Sequence, residues 1–340
     1  MSYRNNSFNF IRHFAAFMVL FSHNFALNGL SEPIIRSWDT LGFFAVITFF
    51  SISGYLMPSS YSSSKNIFHF FEKRLRRLLP AIVVCSFIMI FIISPLFSNA
   101  DYLSYEMIKE SVRLFVQHCV FVFNNPTGVF YDFKVNGAMN GSLWTIPVEI
   151  FCYIIFSISM TFRNDYKTAL TLLLVSLAGC FLSIYNEIDF VFYGVPLKYL
   201  SMFGVAFTTG ALLSMTQSVW FSYRKAMIIA SIALIISAQT GLELNSICLI
   251  ALSALVVILG LSFKTNKFNN IDISYGVYIY AFPVQQIIIN KVSDNFITSL
   301  MLSSAITVVL AYASFKFVER PFLLRFKKHH KPDVIERFNS

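Results

Sequence analysis

At 340 residues, 56% hydrophobic, 17% aromatic and 13% charged, with a mean hydropathy of +0.65, the chain has too little polar surface to cover a soluble globule of its size. The net charge of +9 does not point to nucleic acid. The basic residues are spread over short connections and the C-terminal tail, which is the pattern that orients a membrane protein. Five scattered cysteines, Cys85, Cys119, Cys152, Cys180 and Cys248, show no CxxC spacing, so neither a disulfide framework nor a metal site is expected.

Apolar windows of the length needed to cross the hydrocarbon core occur at about 8–29, 38–57, 79–98, 142–162, 168–185, 197–215, 226–240, 244–263, 271–290 and 296–318. They predict an all-α fold, a polytopic membrane helical bundle of about ten transmembrane helices. The seventh window is short, and the turn after it, Gln239 to Glu243, is tight. The first window is too long for a signal-peptide core and is read as a retained span. With this placement, nineteen of the 26 Lys and Arg residues fall on the side of the two termini, six fall on the other side, and Arg12 lies within the membrane. Both termini are therefore expected in the cytoplasm. Residues 1–325 form the membrane domain, with a long external loop at about 99–141, and 326–340 form a basic cytoplasmic tail. An amphipathic stretch around Glu106–Val122 and the aromatics Phe121, Phe123, Phe130, Tyr131 and Phe133 predict that this loop is a folded cap on the membrane surface. Such rings pack on sugars, but more often they only mark the interface.

The first span contains Arg12 and His23, eleven residues apart and so on one helical face, about 16 Å apart along the axis. Charged and titratable groups in lipid are costly, and they persist where they face a protein interior or a wet cavity. Histidine is suited to take a proton from a hydroxyl near neutral pH. The plainer reading is a hydrogen bond to a neighbouring helix. Glu149 enters the fourth span at the depth of His23, about 9 Å from the external end, where a carboxylate would orient the imidazole. Pairing with Arg12 is the alternative. On the cytoplasmic side, Arg74, Arg76 and Arg77 precede the third span. Such clusters usually hold topology, but arginines also bind phosphates bidentately, as a coenzyme A donor requires. Ser53, Gly54 and Tyr55 end the second span on that same side, and Gly54 would allow a backbone or ligand to approach closely.

Six elements in order resemble the membrane-bound acyltransferase family 3. They are Arg12 with His23; Phe49-Phe50 with Ser53-Gly54-Tyr55; Arg74, Arg77 and Pro80; Leu143-Trp144 with Glu149; Ser274-Tyr275 with Tyr278; and Glu319 to Phe322. One position departs from the pattern, since Ala281 stands before Phe282-Pro283 where the family commonly has His. No catalytic weight is placed there.

The resemblance implies an acyl-CoA-dependent O-acyltransferase, an acetyltransferase above all, in a bacterial inner membrane. Acetyl-CoA would be the donor and a lipid-linked or surface glycan such as lipopolysaccharide O-antigen the acceptor, with no metal and no nucleic acid. His23, Arg12 and Glu149 would be catalytic; Arg74, Arg76, Arg77, Ser53, Gly54 and Tyr55 would hold the donor; Trp144, Tyr275 and Tyr278 would contact substrate. Direct transfer and an acyl-His23 intermediate both remain open. Some relatives add a soluble extracytoplasmic domain, and without one the protein is expected to act alone or to hand the acyl group to a partner. The rival reading is a secondary transporter or a flippase for a lipid-linked sugar, in which buried Arg, His and Glu form a substrate path. Such proteins often show inverted repeats, and none is evident here.

Overall fold

The helix α1 (Phe8–Leu27) exposes Phe10, Phe14, Phe17 and Phe21 along one stripe and buries Arg12, Ala15, Ala16, Val19 and Leu20 on the other. A soluble protein would hide that phenylalanine stripe; lipid solvates it. The computed structural model describes residues 6–35, 38–185, 190–237, 246–263 and 271–329. The turn at 239–243 and the tail from residue 330 onward lie outside the described residues.

After α1, a two-residue antiparallel pair, β1 (Ile34–Ile35) and β2 (Asp39–Thr40), leads into α2 (Leu41–Ser62), whose first turn is capped by Thr40. Next come α3 (Ile67–Phe87), continued by a π-helical stretch at Ile88–Ile93 into α4 (Ser94–Leu96), and then α5 (Tyr105–Cys119). α6 (Thr145–Phe162) and α7 (Tyr166–Tyr185) precede a second small pair, β3 (Val191–Phe192) and β4 (Val195–Pro196). α8 (Leu197–Met215), the short α9 (Gln217–Trp220), α10 (Arg224–Ser237), α11 (Ser246–Ser262) and α12 (Ser274–Lys291) follow. α13 (Phe296–Ser314) passes through a π-helical stretch at Phe315–Glu319 into α14 (Arg320–His329).

Helices occupy all ten of the predicted windows. Among the described residues, seven helical stretches are long and apolar enough to cross a membrane, those beginning at Phe8, Leu41, Ile67, Thr145, Tyr166, Gln217 and Phe296. α8, α11 and α12 fill the remaining three windows. α12 packs against α1 and α13, and its glutamines donate outside their own helix: Gln285 to Leu20 O of α1 at 2.8 Å, and Gln286 to Val135 O of the long connection at 2.8 Å. A helix inside a bundle can carry such groups, which lowers its apolarity. The third stretch begins at Ile67 and not at residue 79, because the basic cluster is itself helical. Asn66 caps it, and Lys and Arg are good helix formers.

α2 is the most enclosed of the seven stretches and packs against α1, α6, α8 and α11. Its contact with α8 depends on two glycines, since a Cβ at Gly54 would collide with Phe207 O and one at Gly210 with Ser51 O. Such backbone proximity is how membrane helices gain packing energy without a hydrophobic driving force. In α12, Pro283 cannot donate to Ile279 O, and Asn140 fills that place with a bond of 2.8 Å. That bond ties the segment entering α6 to α12.

The amphipathic stretch of the long connection is helix α5. It packs on α3 through Phe115 against Phe87 and Phe91. Phe130 and Phe133 stack on one another at 4.3 Å and face inward against Phe97, so these two rings are core and not a free platform. Tyr131 is exposed.

Candidate active site

Two cavities adjoin in the centre of the bundle. The first, partly open, spans about 700 Å³ of empty space with the adjoining solvent included, and is lined by Arg12 of α1, Ser53 of α2, Arg74 and Arg77 of α3, Glu149 and Tyr153 of α6, and Tyr275 of α12. Asp272, just before α12, bonds Arg77 at 3.2 Å and Arg12 at 3.5 Å. Ser53 donates to Glu149 Oε1 at 2.8 Å, and Tyr153 donates to the same oxygen. Arg74 donates to Ser60 at 2.5 Å, while its buried Nε has no partner among the described residues. Three guanidinium groups and two carboxylates leave one positive charge in excess. A buried donor without an acceptor is costly, and an anionic ligand would supply that acceptor.

The second cavity, also partly open, spans about 650 Å³ of empty space with the adjoining solvent included, and is lined by His23, Glu32, Asp39, Trp144, Tyr199 and Phe203 among others. His23 packs edge-on against Phe282 at 5.2 Å, and its Nδ1 is buried with no hydrogen-bond partner among the described residues. Glu32 is held by the hydroxyl of Ser22, which also accepts from Gly42 N at 3.0 Å. Trp144 meets Tyr199 at 4.8 Å, forming an aromatic wall. Val46, Thr145 and Tyr278 line both cavities and so form the partition between them.

Most of the residues singled out in the sequence come together here, with three changes of position. Glu149 does not meet His23 as an orienting partner. It turns into the arginine cavity toward Ser53 and Tyr153, and the carboxylates in the His23 cavity are Glu32 and Asp39. Gly54 and Tyr55 do not line the arginine cavity. The space beside Gly54 is filled by the α8 backbone, and Tyr55 packs tilted against Phe8 and donates to Gln217 at 3.1 Å. Arg76 is also outside it, bonded to Glu72 one turn back at 2.8 Å. Arg12, Arg74, Arg77, Ser53, Tyr275 and Tyr278 line the arginine cavity, and His23, Trp144 and again Tyr278 line the other. Ala281 is buried among Ala16, Leu20, Val277 and Ala311 at the contact of α1, α12 and α13.

Sequence reasoning missed Asp272, Tyr153, Thr145, Glu32 and Asp39. For Asp272 a signal existed: it is a carboxylate inside the apolar window 271–290, and its Oδ1 accepts from the Ser274 hydroxyl at 2.6 Å. Tyr153 lies one turn after Glu149, so their contact is the i,i+4 pairing of any helix.

An apolar bundle that can hold an anion beside a free imidazole has the parts of a membrane enzyme. Comparison with known proteins gives the class. Residues 5–316 match the acyltransferase domain family, and the chain belongs to that family, the membrane-bound acyltransferase family 3. It is 33% identical over 330 residues, 95% of this chain and 97% of the relative, to an O-acetyl transferase of Shigella phage Sf6. It is 25% identical over 345 residues, 93% of this chain and 92% of the relative, to Nodulation protein 10 of Rhizobium leguminosarum bv. viciae. A partial match, 29% over 160 residues, covers 41% of this chain and 25% of O-acetyltransferase OatA of Staphylococcus aureus (strain NCTC 8325 / PS 47). No solved structure matches.

Proposed function

We propose that this membrane acyltransferase is an O-acetyltransferase that moves an acetyl group from cytoplasmic acetyl-CoA to a hydroxyl of a surface carbohydrate such as lipopolysaccharide O-antigen. It would act in the inner membrane of a bacterium, with both termini in the cytoplasm. The observation that carries this reading is the pair of adjoining cavities, one rich in arginine and one containing His23, with a wall in common. Kinship with the phage O-acetyl transferase over nearly its whole length supports the acetyl group and the bacterial setting.

In this account Arg74, Arg77 and Arg12 receive the donor's phosphates, for which planar guanidinium forks are well suited. Asp272 keeps Arg12 and Arg77 in place. The acceptor sugar lies against Trp144 with its hydroxyl at His23. His23 takes the hydroxyl proton as the oxygen attacks the thioester carbonyl; the carbon–sulfur bond then breaks, and the departing coenzyme A thiolate recovers the proton from His23. Glu149, bonded to Ser53 and Tyr153, acts from the donor side by shaping that cavity.

The test uses purified protein in liposomes with acetyl-CoA labelled in the acetyl group and a lipid-linked glycan. Wild type should label the glycan, and His23→Ala should not, while still inserting and binding coenzyme A. Equal labelling by His23→Ala would remove His23 from the chemistry. Glycan movement across the bilayer without labelling would favour a transporter.

A further inference from the structure

We infer that Val46 sets the size of the acyl group that this enzyme transfers, as the apolar side of an aperture whose polar side is the hydroxyl pair of Thr145 and Tyr278. The inference rests on the acyltransferase reading of the two cavities. Those three residues are the lining the cavities share, so the acyl carbon of a donor on the arginine side meets a hydroxyl at His23 only among them.

The two sides of the aperture differ in chemistry and in rigidity. Tyr278 donates to Ser142 O at 2.8 Å, stands 2.6 Å from Thr145 Oγ1 and packs edge-on against Phe49 at 5.6 Å. Ser142 belongs to the segment that Asn140 ties to α12, so the tyrosine is fixed from both ends. Thr145 Oγ1 has Ser142 O at 3.3 Å and Tyr278 at 2.6 Å, and with Tyr278 donating to Ser142 O the Thr145 proton goes to Tyr278. To meet an acyl carbonyl that proton must leave Tyr278; Thr145 stands at the first turn of α6, where the helix dipole favours developing negative charge. Opposite is Val46, buried and without a polar atom, on the helix that Gly54 and Gly210 lock against α8. An acyl thioester has the matching polarity: one carbonyl oxygen for the hydroxyl side and an apolar tail for the valine side. Because α2 is held by backbone contact, the room for that tail depends on the side chain at position 46.

The experiment compares acetyl-, propionyl- and butyryl-CoA as donors for the full-length protein in liposomes. Val46→Ala should raise the butyryl-to-acetyl ratio of kcat/KM by about tenfold or more, the scale on which a pocket reads one methylene. Val46→Ile should lower the propionyl-to-acetyl ratio. Thr145→Ala should slow all three donors alike and leave the ratios unchanged. Ratios within about twofold of wild type in both Val46 variants would overturn the aperture while leaving acyl transfer intact. Absence of transfer by wild type from every donor would instead remove the acyltransferase reading, and the aperture with it.

Discussion

Asp272 holds two of the three arginines of the arginine cavity from its place just ahead of α12. Its replacement tests how much the cavity depends on it. Asp272→Asn leaves the buried Arg12 without its counter-charge and should lower stability in detergent by about 3 kcal/mol, read from thermal unfolding. Unchanged stability would mean that Arg12 has another source of compensation. The arginines divide in the same way. Arg77→Ala should raise the apparent KM for acetyl-CoA by about tenfold, a loss of ~1.4 kcal/mol, while Arg76→Ala should leave it within about twofold, because Arg76 is engaged with Glu72. Equal effects would restore the cluster to a topological role. At this scale the sequence was informative about which residues and poor about which partners. A charge in an apolar run must face the interior, which identified Arg12 and Glu149, while Arg74, Arg76 and Arg77 were singled out as a basic cluster ahead of the third span. Depth along a helix fixes one coordinate only. The azimuth that turned Glu149 toward Tyr153 instead of His23 comes from how α6 packs on its neighbours.

The crossing of α2 with α8 has no room for a methyl group at Gly54 or Gly210. Gly210→Ala places a Cβ on Ser51 O and should cost roughly 1–3 kcal/mol of thermal stability in detergent; an unchanged melting temperature would show that α8 can shift. α5 offers a pH test outside the membrane. His118 is buried between Ser86 at 3.0 Å and Asn124 O at 3.0 Å, and burial lowers its pKa below the ordinary 6.5, an effect the Asn124 carbonyl only partly offsets. The unfolded chain therefore binds the proton more readily, so stability is full above about pH 6.5 and declines as the pH falls toward the depressed folded value. Protection of α5 amides from hydrogen exchange should drop over that interval, and His118→Gln should flatten the response. A pH-independent profile in wild type would contradict the assignment. The ten windows were legible because apolar length is a summed signal, and each holds a helix. Their ends were less legible where a cap such as Asn66 extends a helix into charged residues.

For the whole molecule, the account has a donor on one side of a partition and an acceptor on the other. The sequence pointed to that layout through one helix face bearing Arg12 and His23, and the structure adds the partition of Val46, Thr145 and Tyr278, which no motif announced because its residues come from α2, α6 and α12. The excess of basic residues on the side of the termini predicts which cavity opens to the cytoplasm. The most direct test is sidedness. In sealed inside-out membrane vesicles loaded with lipid-linked glycan, labelled acetyl-CoA is supplied only to the outer bath, which is the cytoplasmic face. The account predicts acetyl ester on the enclosed glycan with wild type and none with His23→Ala. Label on the enclosed glycan at the wild-type rate in His23→Ala, or labelling only when acetyl-CoA is inside the vesicle, would contradict it.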